Sequence, residues 1–558
     1  VADPLSLRGH VEGRLSGLKN DRYSFWVHWQ EIATFILPRR YRWLITPNQW
    51  NKGSPINGAI IDSTGTIAAR TLASGLMSGI TSPTRPWFKL TIEGMGTDIT
   101  DPANRWLAEV ERRMYRVFHE SNFYTAMAVL YQDIPVFGTA PLIINEDFEN
   151  VVDFDNPCAG EYYVANNDKN YVDVFYREFV KTVAATVQWF GIDNVSEATK
   201  RLYQMGGPAL SQELMICQAV EPNNPPRGKT PKEFPFRSVY WERGSGEEDG
   251  FLQERGYHEF PAPTGRWDLV ANDAYGRCPA MDALGDIKQL QQETKRKAQA
   301  IDKMVNPPMI ADVQLKNQPA SLLPGGVTYV TGQNNVGFKP VYEVQPRIAE
   351  MQQDIAEIQN RIRSVFFNDL FMMISQLQTV RTATEIDARR EEKLIMLGPV
   401  LERFQNELLD PVIDRVFAIM NRAKLLPPPP VNISGQFIKV EYISMLAEAQ
   451  KAVSTGAIER ILQVVGNVAA ANPEISDNID YDAGIREYGT LLAANPKLFR
   501  TPDQVQQIRM ERQKQNQQTA LAAATPGMAK AGKTLSEIDV GGGKNALQSI
   551  LGNESVAA

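Results

Sequence analysis

The residues best placed to do chemistry in this 558-residue chain are "GMAKAGKT", Gly527 to Thr534, which fit G-x-x-x-x-G-K-[ST]. In that pattern a glycine-rich loop cradles phosphates and the lysine, here Lys533, meets them. The loop works only between a buried strand and a helix whose N-terminus aims at the phosphates. The residues in front, "RQKQNQQTALAAAT", are polar and helix-prone with no β-branched run, and "LSEIDVGGGKNALQ" behind carries three glycines that stop a helix early. The acidic "LIINED", Leu142 to Asp147, has the look of a Walker-B strand but lies far upstream, in the wrong chain order. The match is a chance one in a Gly/Ala/Lys-rich tail.

Other reactive types are scattered. "GSGEEDG", Gly244 to Gly250, imitates a nucleotide loop, but Glu247, Glu248 and Asp249 would repel phosphates, so it reads as a hairpin tip. Cys158, Cys217 and Cys278 never form C-x-x-C, so neither a disulfide framework nor a zinc ribbon follows. His10, His28, His119 and His258 form no H-x-H or H-x-x-x-H pair, and no G-x-S-x-G elbow exists. The sequence points away from an enzyme and calls for no metal or cofactor.

A net charge of -7 argues against a basic face that grips nucleic acid, because phosphate neutralisation supplies most of such affinity. The length allows about three to four domains. No run of about 18 apolar residues occurs, so no membrane span is expected. "VADPLSLRGHVEGRLSG" lacks the apolar core of a secretion signal.

The elements that would position functional groups fall into two textures, giving an α+β, helix-rich chain. The first part is mixed: helical spacing through Phe25, Trp29, Ile32 and Phe35, a small-residue helix "IDSTGTIAARTLASGLMSGI" ended near Pro83, then strands in "PWFKLTI", "PLIINE", "YYVA", "YVDVFYREFV", "SVYWE" and "FLQERGYHEF". From Pro279 helices dominate. One runs from Met281 to Met304 with Leu284, Ile287 and Leu290 on one side, stopped by "NPP" at Asn306 to Pro308. A Pro/Gly-punctuated insert follows, with a hairpin expected at Gly332 to Asn335. A second helix from Pro346 carries Ile348, Met351, Ile355, Ile358, Ile362 and Val365 on one face. A third begins at a capping box, Thr382 with Glu385, and runs to Lys424, kinked or broken at Pro399 and Pro411. "LLPPPP" ends it; a strand "QFIKVEYI", a helical region from Ser444 to about Gln517 and a Gly/Ala/Ser-rich tail complete the chain.

Between the second and third helices lies "FMMISQLQTVRTATEIDARREEK", Phe371 to Lys393. It passes from apolar to uncharged polar to charged helical residues, with no His, Cys or carboxylate in its linker. By residue types alone it also fits an ordinary polar turn between helices.

"DSTGTIAARTLASGLMSGITSPTRPWFKL" (Asp62 to Leu90), "VFGTAPLIINED" (Val136 to Asp147) and "RTATEIDARREEK" (Arg381 to Lys393) together resemble the head-to-tail connector, or portal, proteins of short-tailed bacteriophages (podoviruses). The resemblance covers roughly residues 1 to 500. It implies a portal fold assembled as a ring, usually of about twelve copies, at one capsid vertex. Double-stranded DNA is pumped in through the ring by a separate terminase motor and later leaves through it. The implied division is wing 1–278, stem helix 279–306, clip 307–345, second stem helix 346–370, channel loop 371–381, long kinked wing helix 382–430, crown 431–524 and flexible tail 525–558.

On this resemblance Gln376, Gln378, Thr379 and Arg381 would face DNA in the lumen, and Phe371, Met372 and Met373 would anchor the loop, methionine suiting a contact that re-packs. Lys295, Arg296 and Lys297 are candidates for a basic ring in the stem, or equally a solvated outer face. The acidity fits a conduit, which must not hold its cargo tightly. The implied partners are other copies of the chain, the terminase motor, tail adaptor and tail proteins, and the major capsid and scaffolding proteins. No membrane insertion is implied. The place is the head–tail junction of the virion, after assembly in the host cytoplasm. Two rival readings are a nucleotide-driven DNA translocase using Gly527 to Thr534 and a non-channel capsid or scaffold protein.

Overall fold

The computed structural model describes residues 6–38, 40, 56–92, 102–223, 230–245, 250–305, 309–310, 339–340, 347–375, 396–430, 438–443, 504–516 and 533. The chain divides into two units, Val1–Ala457 and Ile458–Ala558. In the second, residues 504–516 form a helix. The hairpin expected at Gly332 to Asn335, the capping box at Thr382 and Glu385 and most of the helical region after Ser444 lie outside the described residues.

The first unit opens with helix α1 (Leu7–Phe35), capped by the Ser6 hydroxyl, which accepts the Gly9 N–H at 3.2 Å. Its buried residues Val11, Leu15, Leu18, Arg22, Trp29 and Ile32 are three, four or seven positions apart, as one helix face requires. The sequence reading found this spacing only from Phe25 onward. The front half escaped it because three aliphatic residues are separated there by glycines and charges.

Next come α2 (Thr64–Ile80), β1 (Phe88–Ile92), α3 (Pro102–Glu120), α4 (Phe123–Phe137), β2 (Thr139–Pro141), β3 (Ile143–Asp147) and β4 (Val151–Asp155). The strands β5 (Tyr162–Asn166) and β6 (Val172–Thr182) are followed by helices α5 (Val183–Phe190) and α6 (Glu197–Met205). With β7 (Glu213–Pro222), β8 (Phe236–Glu242) and β9 (Gln253–Tyr257) they make an antiparallel five-stranded sheet in chain order. Side chains alternate across it. Tyr163, Tyr176, Cys217, Val239 and Trp241 meet Val11, Leu15 and Leu18 of α1 on one face. Tyr162, Val164, Phe175 and Val220 enter the main core on the other.

Strand β10 (Thr264–Arg266) returns to pair with β2. Then come α7 (Pro279–Val305), β11 (Met309–Ile310), β12 (Lys339–Pro340), α8 (Ile348–Val365) and α9 (Asn368–Ser375). Residues 396–404 form α10, which passes through a π turn (Gln405–Leu409) into α11 (Asp410–Arg422). The chain stays helical through both prolines expected to kink or break it: Pro399 lies within α10 and Pro411 in the first turn of α11. Proline lacks an N–H and its ring clashes with the carbonyl four residues back. The wider turn before Pro411, in which the Asp410 N–H donates to Gln405 O, accommodates it. The helix ends before "LLPPPP", with Lys424 at φ 57°.

Strand β13 (Ile438–Tyr442), in the stretch expected to begin the crown, pairs with β1, Phe88 opposite Tyr442 and Ile92 opposite Ile438. Its tyrosine hydroxyl donates to Asp410 at 2.5 Å, tying the strand to α11. No local pattern reveals a pairing of this sequence separation.

Some buried charges are paired with opposite ones. Arg266, with 0% of its surface exposed, places Nε and Nη2 on the two carboxylate oxygens of Glu407, each at 2.8 Å. Arg40 grips Asp133 at 2.9 and 2.5 Å and donates to Cys158 Sγ at 2.8 Å. The three cysteines are free and buried, and burial pushes each thiol up to about 12, as suits structural thiols.

Desolvation pushes the Glu161 carboxyl up from 4.5 to about 7, although it accepts the Cys158 N–H at 3.0 Å. The folded state therefore keeps this proton over a pH range where the unfolded chain has released it. That contribution to stability is full below the unfolded value and is lost as pH rises from about 4.5 to about 7. Glu161→Gln should gain on the wild type as pH rises through this window. Urea midpoints measured at its two ends would show the difference moving in the variant's favour; a constant difference would remove the assignment.

Candidate nucleic-acid interface

Helices α7 and α8 form an antiparallel pair. Arg361 bridges Asp286 at 3.1 Å, and Lys297 Nζ meets Gln352 Oε1 at 3.5 Å further along. Leu284, Ile287 and Leu290 of α7 and Ile355, Ile358 and Ile362 of α8 are buried, the faces read from their spacing. Beyond them β11 pairs with β12, Met309 opposite Pro340 and Ile310 opposite Lys339. The two ends of the insert are thus joined where it leaves the helices.

The proximal end of the pair is fixed to α2. Gln291 accepts the N–H groups of Ile61 and Asp62 at 2.7 and 2.8 Å and donates to Asp62 O at 2.8 Å. From α8, Gln359 donates to Asp62 Oδ2 at 2.8 Å. The other oxygen, Oδ1, accepts the Thr64 N–H at 2.8 Å. A single short stretch before α2 therefore holds both helices. Gly65 lets α7 close in, since a β-carbon there would lie 3.0 Å from Ile287 Cδ1.

The same helix holds α9. Phe371 is buried against Gly75, where a β-carbon would sit 2.6 Å from Phe371 Cε1. The neighbouring Phe366 and Leu370 are fully buried. The chain turns from α8 into α9 at Phe367, which takes φ 54°, a costly conformation for a bulky side chain. The second helix consequently ends at Val365. Phe371, Met372 and Met373 have helical backbone instead of forming a loop, with Leu370 and Phe371 buried and Phe371 against Gly75 of α2.

Gln376, Gln378, Thr379 and Arg381 lie outside the described residues, directly after α9. Lys295 and Arg296 are exposed on α7, whereas Lys297 is half-buried and turned toward Gln352. Consecutive helical residues fan apart by about 100°, so the three do not share one direction. Of Gly527 to Thr534 only Lys533 is described; it has helical backbone and is exposed.

Asp62, Gly65, Gly75, Gln291 and Gln359 are the positioning residues that sequence reasoning missed. The small residues of α2 signalled a close approach, but their partners lie some hundreds of positions away. Gly75→Ala should force the Phe371 ring out of its seat at a cost of about 1–3 kcal/mol. Hydrogen exchange should accelerate in 366–375 while the five-stranded sheet keeps its protection. Uniform acceleration, or none, would contradict the local role given to this contact.

Among the described residues no set of three or more His, Cys, Asp or Glu side chains is placed to hold a metal. None of the described helices is long and apolar enough to cross a membrane.

A family model described as bacteriophage head to tail connecting protein matches residues 8–499. The portal protein of Salmonella phage epsilon15 is 42% identical over 529 residues, covering 94% of each chain. The probable portal protein of Bordetella phage BPP-1 is 41% identical over 514 residues, 91% of this chain and 92% of that one. With a helix pair fixed to α2, α9 seated on the same helix and a match spanning almost all of the first unit, the chain belongs to the family of bacteriophage head-to-tail connecting proteins.

Proposed function

We infer that this chain is a portal subunit, which assembles into a ring at one capsid vertex and gives double-stranded DNA its way in and out. The observation that carries the ring is the distal half of α7, where no residue after Gln291 is buried. Ile301, Met304 and Val305 are exposed there, at 36%, 49% and 69%. Their i, i+3, i+4 spacing makes one apolar stripe, of the kind a helix buries against a partner. A head-to-tail contact between copies that closes on itself gives a cyclic ring.

In this reading α7 and α8 are the stem and the insert between them is the clip, which meets the terminase motor and the tail proteins. The segment after α9 is the channel loop. Gln376, Gln378, Thr379 and Arg381 offer hydrogen bonds and one cation per subunit to passing phosphates, and Lys295 and Arg296 add charge on the stem. The head–tail junction of the virion is the place of action, with capsid and scaffolding proteins around the ring.

The test is to replace Gln376, Gln378 and Arg381 together by alanine and to compare ring yield with packaged DNA. Rings, counted in negative-stain images, should form as in the wild type, because α9 is seated by Phe371 and not by the loop. DNA packaged or retained should fall by roughly threefold or more, given the loss of a cation per subunit. Failure of both proteins to form rings would end the portal reading. Normal rings with unchanged DNA would end only the loop's role.

A further inference from the structure

The core-facing side of the five-stranded sheet is covered at both ends and open between them. At one end Tyr240 packs with Phe179, Phe190 and Ile216. At the other Phe236 and Tyr257 lie against the main core. Ser238 pairs with Arg255 and Tyr240 with Gln253, and paired residues of antiparallel strands share a face, so all four point into the gap. A cleft of about 650 Å³ opens there. Trp189 of α5 walls one side, and Glu146, Asp147 and Asp153 of the β3–β4 hairpin wall the other.

Three features ask for a guest. The Ser238 side chain is 1% exposed and its hydroxyl has no partner, a costly state for a buried polar group. The hairpin wall is crowded with negative charge: besides burial, the carboxylates of Asp155 and Asp147 push the Asp153 carboxyl up. Arg422 does reach Glu146 at 2.8 Å, but it is shared with Glu259 at 2.6 Å. Finally, β9 is the last strand of its sheet, and its outer edge has no ladder partner among the described residues. Such an edge accepts an extended segment.

We propose that this cleft receives an extended segment of another protein chain, with a lysine or arginine side chain held between the aromatic wall and the carboxylates of Asp147 and Asp153. A cation is attracted both by the exposed Trp189 ring and by the opposing carboxylates, as Arg415, 5.0 Å from the Tyr257 ring centroid, is already attracted by an aromatic ring. Lys181 Nζ, 5.3 Å from the Trp189 ring centroid, already makes a contact of that kind from within the chain. The Ser238 hydroxyl gains a partner in the backbone or side chain of the guest. Ring formation is not required for any of this.

The probe is a fluorescein-labelled hexapeptide alternating valine and arginine, titrated against the full chain by polarisation, beside its valine–glutamate counterpart. The arginine peptide should bind saturably and about tenfold more weakly to an Asp147→Asn/Asp153→Asn variant. Asparagine keeps an oxygen to accept the Asn150 N–H at position 147 and the Asn122 side-chain N–H at position 153, both 2.9 Å from the present carboxylates, so folding is kept. A Glu120→Gln/Glu350→Gln variant removes two exposed carboxylates elsewhere and should bind as the wild type does. Trp189→Phe should weaken binding without abolishing it. Equal losses in the two carboxylate variants would show general attraction to an acidic protein, and tighter binding of the glutamate peptide would show an anion site at Arg255 and Arg422. Either result, or no saturable binding, overturns the proposal.

Discussion

Gly138→Ala should cost the protein about 3–5 kcal/mol, from a strained left-handed residue and an overpacked contact together. Gly138 ends α4 with φ +78°, a conformation that side chains rarely adopt. A β-carbon there would sit 2.7 Å from the carbonyl carbon of Gly276 and closer still to its oxygen. Both groups are backbone, so no rotamer change relieves the clash. The approach is mutual, because Gly276 has no more room on its side, and it is locked by hydrogen bonds. Trp267 N–H donates to Gly138 O at 3.0 Å, and Gly276 N–H donates to Thr139 Oγ1 at 2.7 Å. The Cys278 thiol donates to Val136 O at 3.2 Å just before α7 starts. This contact therefore sets where the first helix of the α7–α8 pair leaves the core. Gly244→Ala is the control: its φ is +82° but nothing lies within 4 Å, so only the conformational term, about 1 kcal/mol, applies. Denaturant midpoints for the two variants should differ widely. Equal midpoints would show that the crowding at Gly276 is relieved without cost.

Glu407→Gln should cost about 3–5 kcal/mol, the usual result of leaving one charge of a buried pair alone. Arg266 has no access to water, and its remaining partners are neutral acceptors, Asn166 Oδ1 at 3.1 Å and Asn170 O at 2.7 Å. Glu407 stands within the π turn, so the widened backbone that accommodates Pro411 also aims this carboxylate. Arg266→Met combined with Glu407→Leu removes both charges at similar volume and should recover much of the loss. A double variant no better than Glu407→Gln would mean that the pair contributes shape and not charge balance.

The amphipathic helices were legible because period alone decides them. Leu284, Ile287 and Leu290, and likewise Ile355, Ile358 and Ile362, lie on the faces their spacing assigned. Four strands of the five-stranded sheet were legible for the same reason, but its central strand β7 was missed, because "ICQAVE" is buried on both faces and shows no alternation. What could not be read were elements whose justification lies elsewhere in the chain. The front of α1 is a helix because a sheet more than a hundred residues later needs covering. Residues 438–442 pair with β1, and Pro411 stays helical because a π turn absorbs it.

Family motifs in one sequence indicated what kind of protein this is, since the stretches from Asp62 to Leu90 and from Val136 to Asp147 carry residues whose spacing is held by the fold. They did not indicate why those residues are there. Only the tertiary structure brings Asp62 to Gln291 and Gln359, and Gly75 to Phe371. One small-residue helix thereby positions both the long helix pair and α9. Side-chain period is a local property of the backbone, whereas a shared anchor depends on which distant surfaces fit. That choice is made by packing, which no stretch of sequence expresses alone.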